Sequence, residues 1–245
     1  MRRIMLVVAY EGTNYCGWQV QPNGITIEEV LNRELSRIFK EDIKVIGASR
    51  TDAGVHAMGN IAVFDTNARI PGEKVAFALN ESLPDDIRIQ KSEEVALDFH
   101  PRHCNSRKCY EYHIYNDRFE NPMRRNFCAF TYREVDVSKM RKAAEYLIGE
   151  HDFKSFCNIH TNVKDTTRTI YRCDINKTGS EIVINIEGSG FLYNMVRIIA
   201  GTLLEIGTGL RNVEEMETIL LAKNREMAGK TAQARGLMLK EIVIL

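Results

Sequence analysis

Eleven residues, Gly47-Ala48-Ser49-Arg50-Thr51-Asp52-Ala53-Gly54-Val55-His56-Ala57, place an arginine, an aspartate and a histidine within seven positions. A carboxylate at Asp52 can act as a nucleophile or as a general base. Arg50 is two residues away, so in an extended segment both side chains share a face. A guanidinium at that range lowers a carboxylate pKa by roughly 1–3 units and keeps it ionised. That suits a nucleophile and excludes a general acid. A structural reading stays open beside the chemical one: Thr-Asp-Ala-Gly also suits an aspartate that only hydrogen-bonds its own turn.

The elements that must hold this loop are short apolar runs on either side, Ile43–Ile46 and Ile61–Phe64. Runs of that length, rich in Val and Ile, read as buried strands. A polar loop between two core strands is a usual place for chemistry. Gly47 and Gly54 bracket it and can take backbone angles that other residues resist.

Three further stretches join the loop in a family resemblance. Arg50–Ala57 resembles the catalytic motif of the pseudouridine synthases of the TruA type. Tyr15-Cys16-Gly17-Trp18-Gln19 resembles the Tyr-x-Gly-Trp-Gln sequence found near their N-terminus. Ser106–Asn116, with Tyr110 as its first tyrosine, is similar to their second motif, and Phe191–Gly201, with Arg197, to their third. The resemblance runs from Tyr10 to Gly236-Leu237, with the motifs in family order. It implies an α+β pseudouridine synthase fold: two ferredoxin-like halves, a continuous mixed or antiparallel sheet flanked by helices, and a central cleft. It also implies conversion of uridine to pseudouridine in the anticodon stem-loop of tRNA. Asp52 would start the reaction on a flipped uridine. Arg197 would pair with Asp52, Tyr110 would lie against the uracil, and Arg50 and His56 would join Tyr110 in binding substrate. Neither a cofactor nor a metal is expected, and family members are usually homodimers with one RNA contacting both subunits. One departure is Asn60, where the family commonly has Gln.

Tyr110 and Arg197 can also be read without the family. Tyr110, Tyr112 and Ile114 share one face of a predicted strand, the ordinary place for a half-buried tyrosine. Arg197 stands among Met195, Val196, Ile198 and Ile199. A charge in that setting needs a partner, for which Asp52 is the obvious candidate, or it must snorkel to the helix surface.

The chain has 245 residues, 44% of them hydrophobic and 27% charged, enough for one large domain or two fused halves. The spacing predicts halves at 1–103 and 104–245. No apolar run reaches the roughly 18 residues a membrane helix needs, and Ile4–Ala9 reads as a first strand rather than a signal sequence, so a cytoplasmic location is expected. The six cysteines show no C-x-x-C pairing and are expected as free thiols. His100, His103, Cys104 and Cys109 fit none of the usual zinc spacings. Lys plus Arg and Asp plus Glu are both 33, a neutrality that argues against a nucleic-acid binder unless charge is segregated. Arg102, Arg107, Lys108, Arg118, Arg124 and Arg125 supply some segregation, as do Lys164, Arg168, Arg172 and Lys177.

Taken in order, 3–10 reads as a strand, and Thr26 with Glu29 as a capping box opening a helix. Pro71 suits the start of a second helix, and Ile87–Val95 returns as a strand. With the two strands around the loop this is β-α-β-β-α-β, a ferredoxin-like unit. The second half predicts strands over 108–115 and 127–132, a helix from Asp136 or Ser138, and a hairpin around Lys177-Thr178-Gly179-Ser180. Helices over 191–206 and 213–222 and a closing strand over 237–244 complete it. Gly188-Ser189-Gly190 starts a dinucleotide fingerprint, but Tyr193 replaces the third glycine. Two rivals from other classes therefore stand beside the synthase: a non-catalytic RNA-binding module of the same fold, and a small-molecule enzyme using that glycine pair. A third keeps the chemistry and takes ribosomal RNA.

Overall fold

Strand β1 (Arg2–Tyr10) buries Ile4, Leu6 and Val8 along one face and is followed, after the Trp18 loop, by helix α1 (Ile27–Phe39). A computed structural model describes residues 1–158 and 163–245. The chain divides into two compact units, Met1–Ser106 with Leu239–Leu245, and Arg107–Met238.

In the first unit the Thr26 hydroxyl accepts the Glu29 amide at 3.3 Å, so the Thr26 side of the predicted capping box forms. Ile27, Val30, Leu31, Leu35 and Phe39 face the core at helical spacing. Thr26→Ala is expected to cost about 1 kcal/mol in urea denaturation; an unchanged midpoint would remove the cap from the stability of α1. Next come β2 (Ile46–Gly47), β3 (His56–Thr66), α2 (Val75–Asn80) and β4 (Ile87–Val95). β1 lies between β3 and β4, antiparallel to both, with Ile4 opposite Phe64 and Glu94. β2 pairs with the far side of β3. This order, 4-1-3-2, is the ferredoxin-like arrangement. Of the first predicted strand, Ile43–Ile46, only Ile46 joins the ladder, together with Gly47; Ile43 and Val45 are buried without strand pairing. His56 already belongs to β3, which shortens the loop to 48–55.

The second unit carries β5 (Ser106–Asn116), β6 (Ala129–Thr131), α3 (Val137–Glu145), β7 (Gly149–Asp152), β8 (Thr167–Thr178), β9 (Glu181–Gly188), α4 (Met195–Gly207) and α5 (Glu215–Ala222). β5, β9, β8 and β7 run in that order as antiparallel neighbours, so β5-β9-β8 matches β1-β3-β2 of the first unit. β6 adds to β5 in parallel, Ile114 opposite Ala129, which makes the pairing mixed. Helix α4 starts at Met195 and not at Phe191, because Asn194 takes the left-handed region at φ 62°. Arg197 therefore stands in the first turn. The last strand, β10 (Leu237–Ile244), is unbroken, and from Leu239 on it belongs to the first unit.

All six cysteines are free thiols, and burial pushes the Cys173 thiol up to about 12. Among the described residues no helix is long and apolar enough to cross a membrane.

Candidate active site

The Asp52 loop owes its shape to side chains from three other segments. Asn60, on β3 and 0% exposed, faces Ser49 like a neighbouring strand. Its Oδ1 accepts the Ser49 amide at 3.2 Å and its Nδ2 donates to the Ser49 carbonyl at 3.0 Å. Tyr10, at the end of β1, shares a 2.7 Å hydrogen bond with the Thr51 hydroxyl. The register of β1 on β3 slips between Val8 and Tyr10, opposite the stretch Ala57–Asn60, and bulges commonly re-aim side chains beside functional sites. The Trp18 amide then donates to the Thr51 carbonyl at 3.0 Å, and the Gly54 amide to the Tyr15 carbonyl at 3.3 Å. The loop closes on itself through Val55 N–H to the Asp52 carbonyl at 3.1 Å.

The two bracketing glycines serve different ends. Gly54 has φ +75°, the left-handed turn angle expected of it. Gly47 is needed for space: a Cβ there would meet the Trp18 ring at 2.4 Å. Trp18 is 0% exposed, packed under the loop and tilted against Tyr10 with ring centroids 5.9 Å apart. It is a floor for the loop, not a platform for a base. On this frame Ser49 and Thr51 are buried, Asp52 is half-buried and Arg50 is exposed. Backbone bonds thus hold the chain on both sides of Arg50 and at Asp52 itself. His56 is 3% exposed and its Nδ1 accepts the Gly12 amide at 3.0 Å, so the ring is neutral at that nitrogen and ties the Gly12 turn to β3.

Tyr110 and Arg197 belong to the second unit. Tyr110 lies opposite Ile186 on β9, is 8% exposed, and meets Phe191 edge-on at 5.2 Å between centroids and 82° between planes. The second and third motifs thus touch through this aromatic pair. Arg197 is aimed by its own unit: its Nε donates to the Ala232 carbonyl at 2.8 Å and its Nη1 to Asn194 Oδ1 at 3.0 Å. The Arg197 carbonyl in turn accepts the Ala232 amide at 3.0 Å. Beside it Tyr112, fully buried, donates to the Gln233 carbonyl at 2.9 Å. Burial pushes the Tyr112 phenol up, and the charges of Arg197 and Arg235 oppose that push. The supports Asn60, Tyr10, Asn194 and Ala232 are those that motif reading does not mark as functional. Only Asn60 carried a signal, as a departure from the family pattern.

Two other sequence features have structural explanations. Gly188-Ser189-Gly190 closes the β8–β9 ladder: the Ser189 amide donates to the Thr169 carbonyl at 2.9 Å and the Thr169 amide to Ser189 Oγ at 3.1 Å. The strand pair is antiparallel and α4 begins five residues beyond Gly190, so the setting of a dinucleotide fingerprint is missing. The His100 and His103 rings lie tilted at 37° with centroids 4.2 Å apart, yet among the described residues no group of three or more His, Cys, Asp or Glu could hold a metal ion.

Known proteins match this chain over nearly all of its length. The family described as tRNA pseudouridine synthase matches residues 6–103 and 143–243. The chain is 47% identical over 243 residues to tRNA pseudouridine synthase A of Brevibacillus brevis, covering 99% of this chain and 100% of that protein. It is 46% identical to the proteins of that name from a Thermoanaerobacter species and from Ruminiclostridium cellulolyticum, covering 99% of this chain and 100% and 99% of theirs. With a family match over most of its length and relatives 46–47% identical, the chain belongs to the tRNA pseudouridine synthase family.

Proposed function

We propose that this protein isomerises uridine to pseudouridine in tRNA, with the anticodon stem-loop as the target region. The C1′–N1 bond breaks, the uracil turns, and a C5–C1′ bond forms. The C5 proton leaves, N1 gains one, and no oxidant is consumed. The base must leave its stack before any of this, at a cost of a few kcal/mol. Asp52 begins bond cleavage, as attacking group or as base. Arg50 holds the flipped state, Tyr110 packs on the uracil, and His56 shapes the same loop. Arg197 keeps Asp52 ionised and directed.

The observation that carries this reading is the immobilised loop at 48–55. Its backbone is tied at Ser49, Thr51, Asp52 and Gly54, so that a half-buried carboxylate is held in place in advance. The family match and the near-identical lengths of the relatives support tRNA as the substrate. The experiment is a map of pseudouridines in total RNA from cells with and without the gene. Loss confined to tRNA is expected. Loss confined to ribosomal RNA would change the substrate, and binding without any loss would make the protein a module without catalysis. The resemblance also supports a cytoplasmic homodimer; light scattering is expected to give twice the chain mass.

Arg197→Lys keeps the charge but cannot reproduce both the Ala232 and the Asn194 bonds, since a lysine lacks the planar fork. A fall in kcat of about tenfold to a hundredfold at unchanged RNA affinity is expected. Full activity of the lysine variant would mean that charge alone suffices and orientation does not matter.

A further inference from the structure

Three of the seven arginines that sequence segregation offered as RNA contacts already sit on carboxylates. Arg107 meets Glu187 at 3.3 Å, Arg172 meets Asp174 at 3.2 Å, and Arg124 pairs with Glu181. Arg50 and Arg102 do not. Among the described residues Arg50 has no hydrogen bond or ion pair, and the side chain of Arg102 has one bond, from Nε to the Gly47 carbonyl at 2.8 Å. That carbonyl belongs to the last residue of β2, directly before the 48–55 loop and three before Arg50. The Arg102 backbone is also held, its amide donating to His100 Nδ1 at 3.2 Å. Burial first and then the Arg50 charge hold the Arg102 guanidinium below its usual range; Glu28 opposes them, but one of its oxygens already accepts the Val20 amide at 2.9 Å. Two like charges are therefore set beside a catalytic loop, one of them anchored there, and an anion between them would relieve the repulsion.

We infer that Arg102 and Arg50 together form a binding site for one phosphodiester group of the RNA backbone, next to the flipped nucleotide. The inference rests on the proposed function and deepens it. Flipping turns a nucleotide about its backbone, so gripping a flanking phosphate is a direct way for Arg50 to hold that state. The Nε anchor leaves the terminal nitrogens of Arg102 to face the phosphate, in the fork that suits its oxygens.

The test is filter binding of the full-length protein to an unmodified tRNA transcript between 50 and 200 mM salt. Arg102→Gln keeps an N–H donor for the Gly47 carbonyl and removes the charge. Its plot of log affinity against log salt is expected to flatten by about 0.7 to 0.9, the loss of one phosphate contact. Arg102→Lys should keep the wild-type slope. Because one phosphate is shared, Arg50→Gln with Arg102→Gln should flatten the plot by about one contact and not two. An unchanged slope in the folded Arg102→Gln protein would overturn the site while wild-type pseudouridine formation left the function standing. A double variant that loses two contacts would overturn the sharing. A wild-type protein that neither binds nor modifies tRNA would end the functional reading, and the site with it.

Discussion

Asp52→Asn is expected to lower pseudouridine formation by about a thousandfold or more while RNA affinity stays within a few-fold of wild type. The substitution keeps the size and the turn of the residue, because the loop is held through the Asp52 carbonyl and its neighbours and not only through the carboxylate. What it removes is the charge that starts glycosidic cleavage. Removal of a general base or nucleophile costs about 10²–10⁴-fold or more. Tritium at uracil C5 is released only on turnover, so release and filter binding measured on one preparation separate catalysis from binding. An asparagine variant that still releases tritium at a tenth of the wild-type rate would dismiss Asp52 as the initiating group.

The second large effect is expected at Asn60→Leu, which is close in volume and apolar. It removes the partner of both Ser49 backbone groups in a buried setting, and weakens the link to Tyr10, whose hydroxyl lies 3.4 Å from Asn60 Nδ2. Two buried hydrogen bonds lost in this way cost about 2–4 kcal/mol. The catalytic cost is separate. A loop free to shift by an ångström at Ser49 displaces Asp52, three residues on, and such misplacement costs about a hundredfold. Urea denaturation should show the first effect, and single-turnover rates at saturating RNA the second, with affinity retained. Asn60→Gln keeps the amide but adds a methylene in a site without free exposure, so its stability loss is overpacking, about 1–3 kcal/mol. It should keep more activity than the leucine variant. If Asn60→Leu unfolds at the wild-type midpoint and turns over normally, the amide does not position the loop.

These effects fall on residues of unequal visibility in the sequence. Asp52 stands in a contiguous eight-residue motif, and the α1 cap, the β8–β9 hairpin and the β-α-β-β-α-β order of the first unit follow from local spacing. Such features are legible because turn chemistry, capping and apolar periodicity act within a few residues of one another. Helix α4 begins four residues later than the spacing predicts, since the apolar pattern runs through Asn194 and carries no mark of its left-handed φ. The strand expected at Ile43–Ile46 pairs only at its last residue for a similar reason: burial and strand pairing leave the same apolar signature.

By itself, the sequence determined the family, the order of elements in the first unit, and the loop on which an ionised aspartate would act. Only the tertiary structure decided what holds that loop: Asn60 along Ser49, Tyr10 on Thr51, Trp18 beneath Gly47, and Arg102 on the Gly47 carbonyl. Each of these joins residues far apart in the chain, through hydrogen bonds and close approaches that impose no period on the sequence. Local chemistry can therefore announce an active group, while its aim is set by folded neighbours that no motif marks.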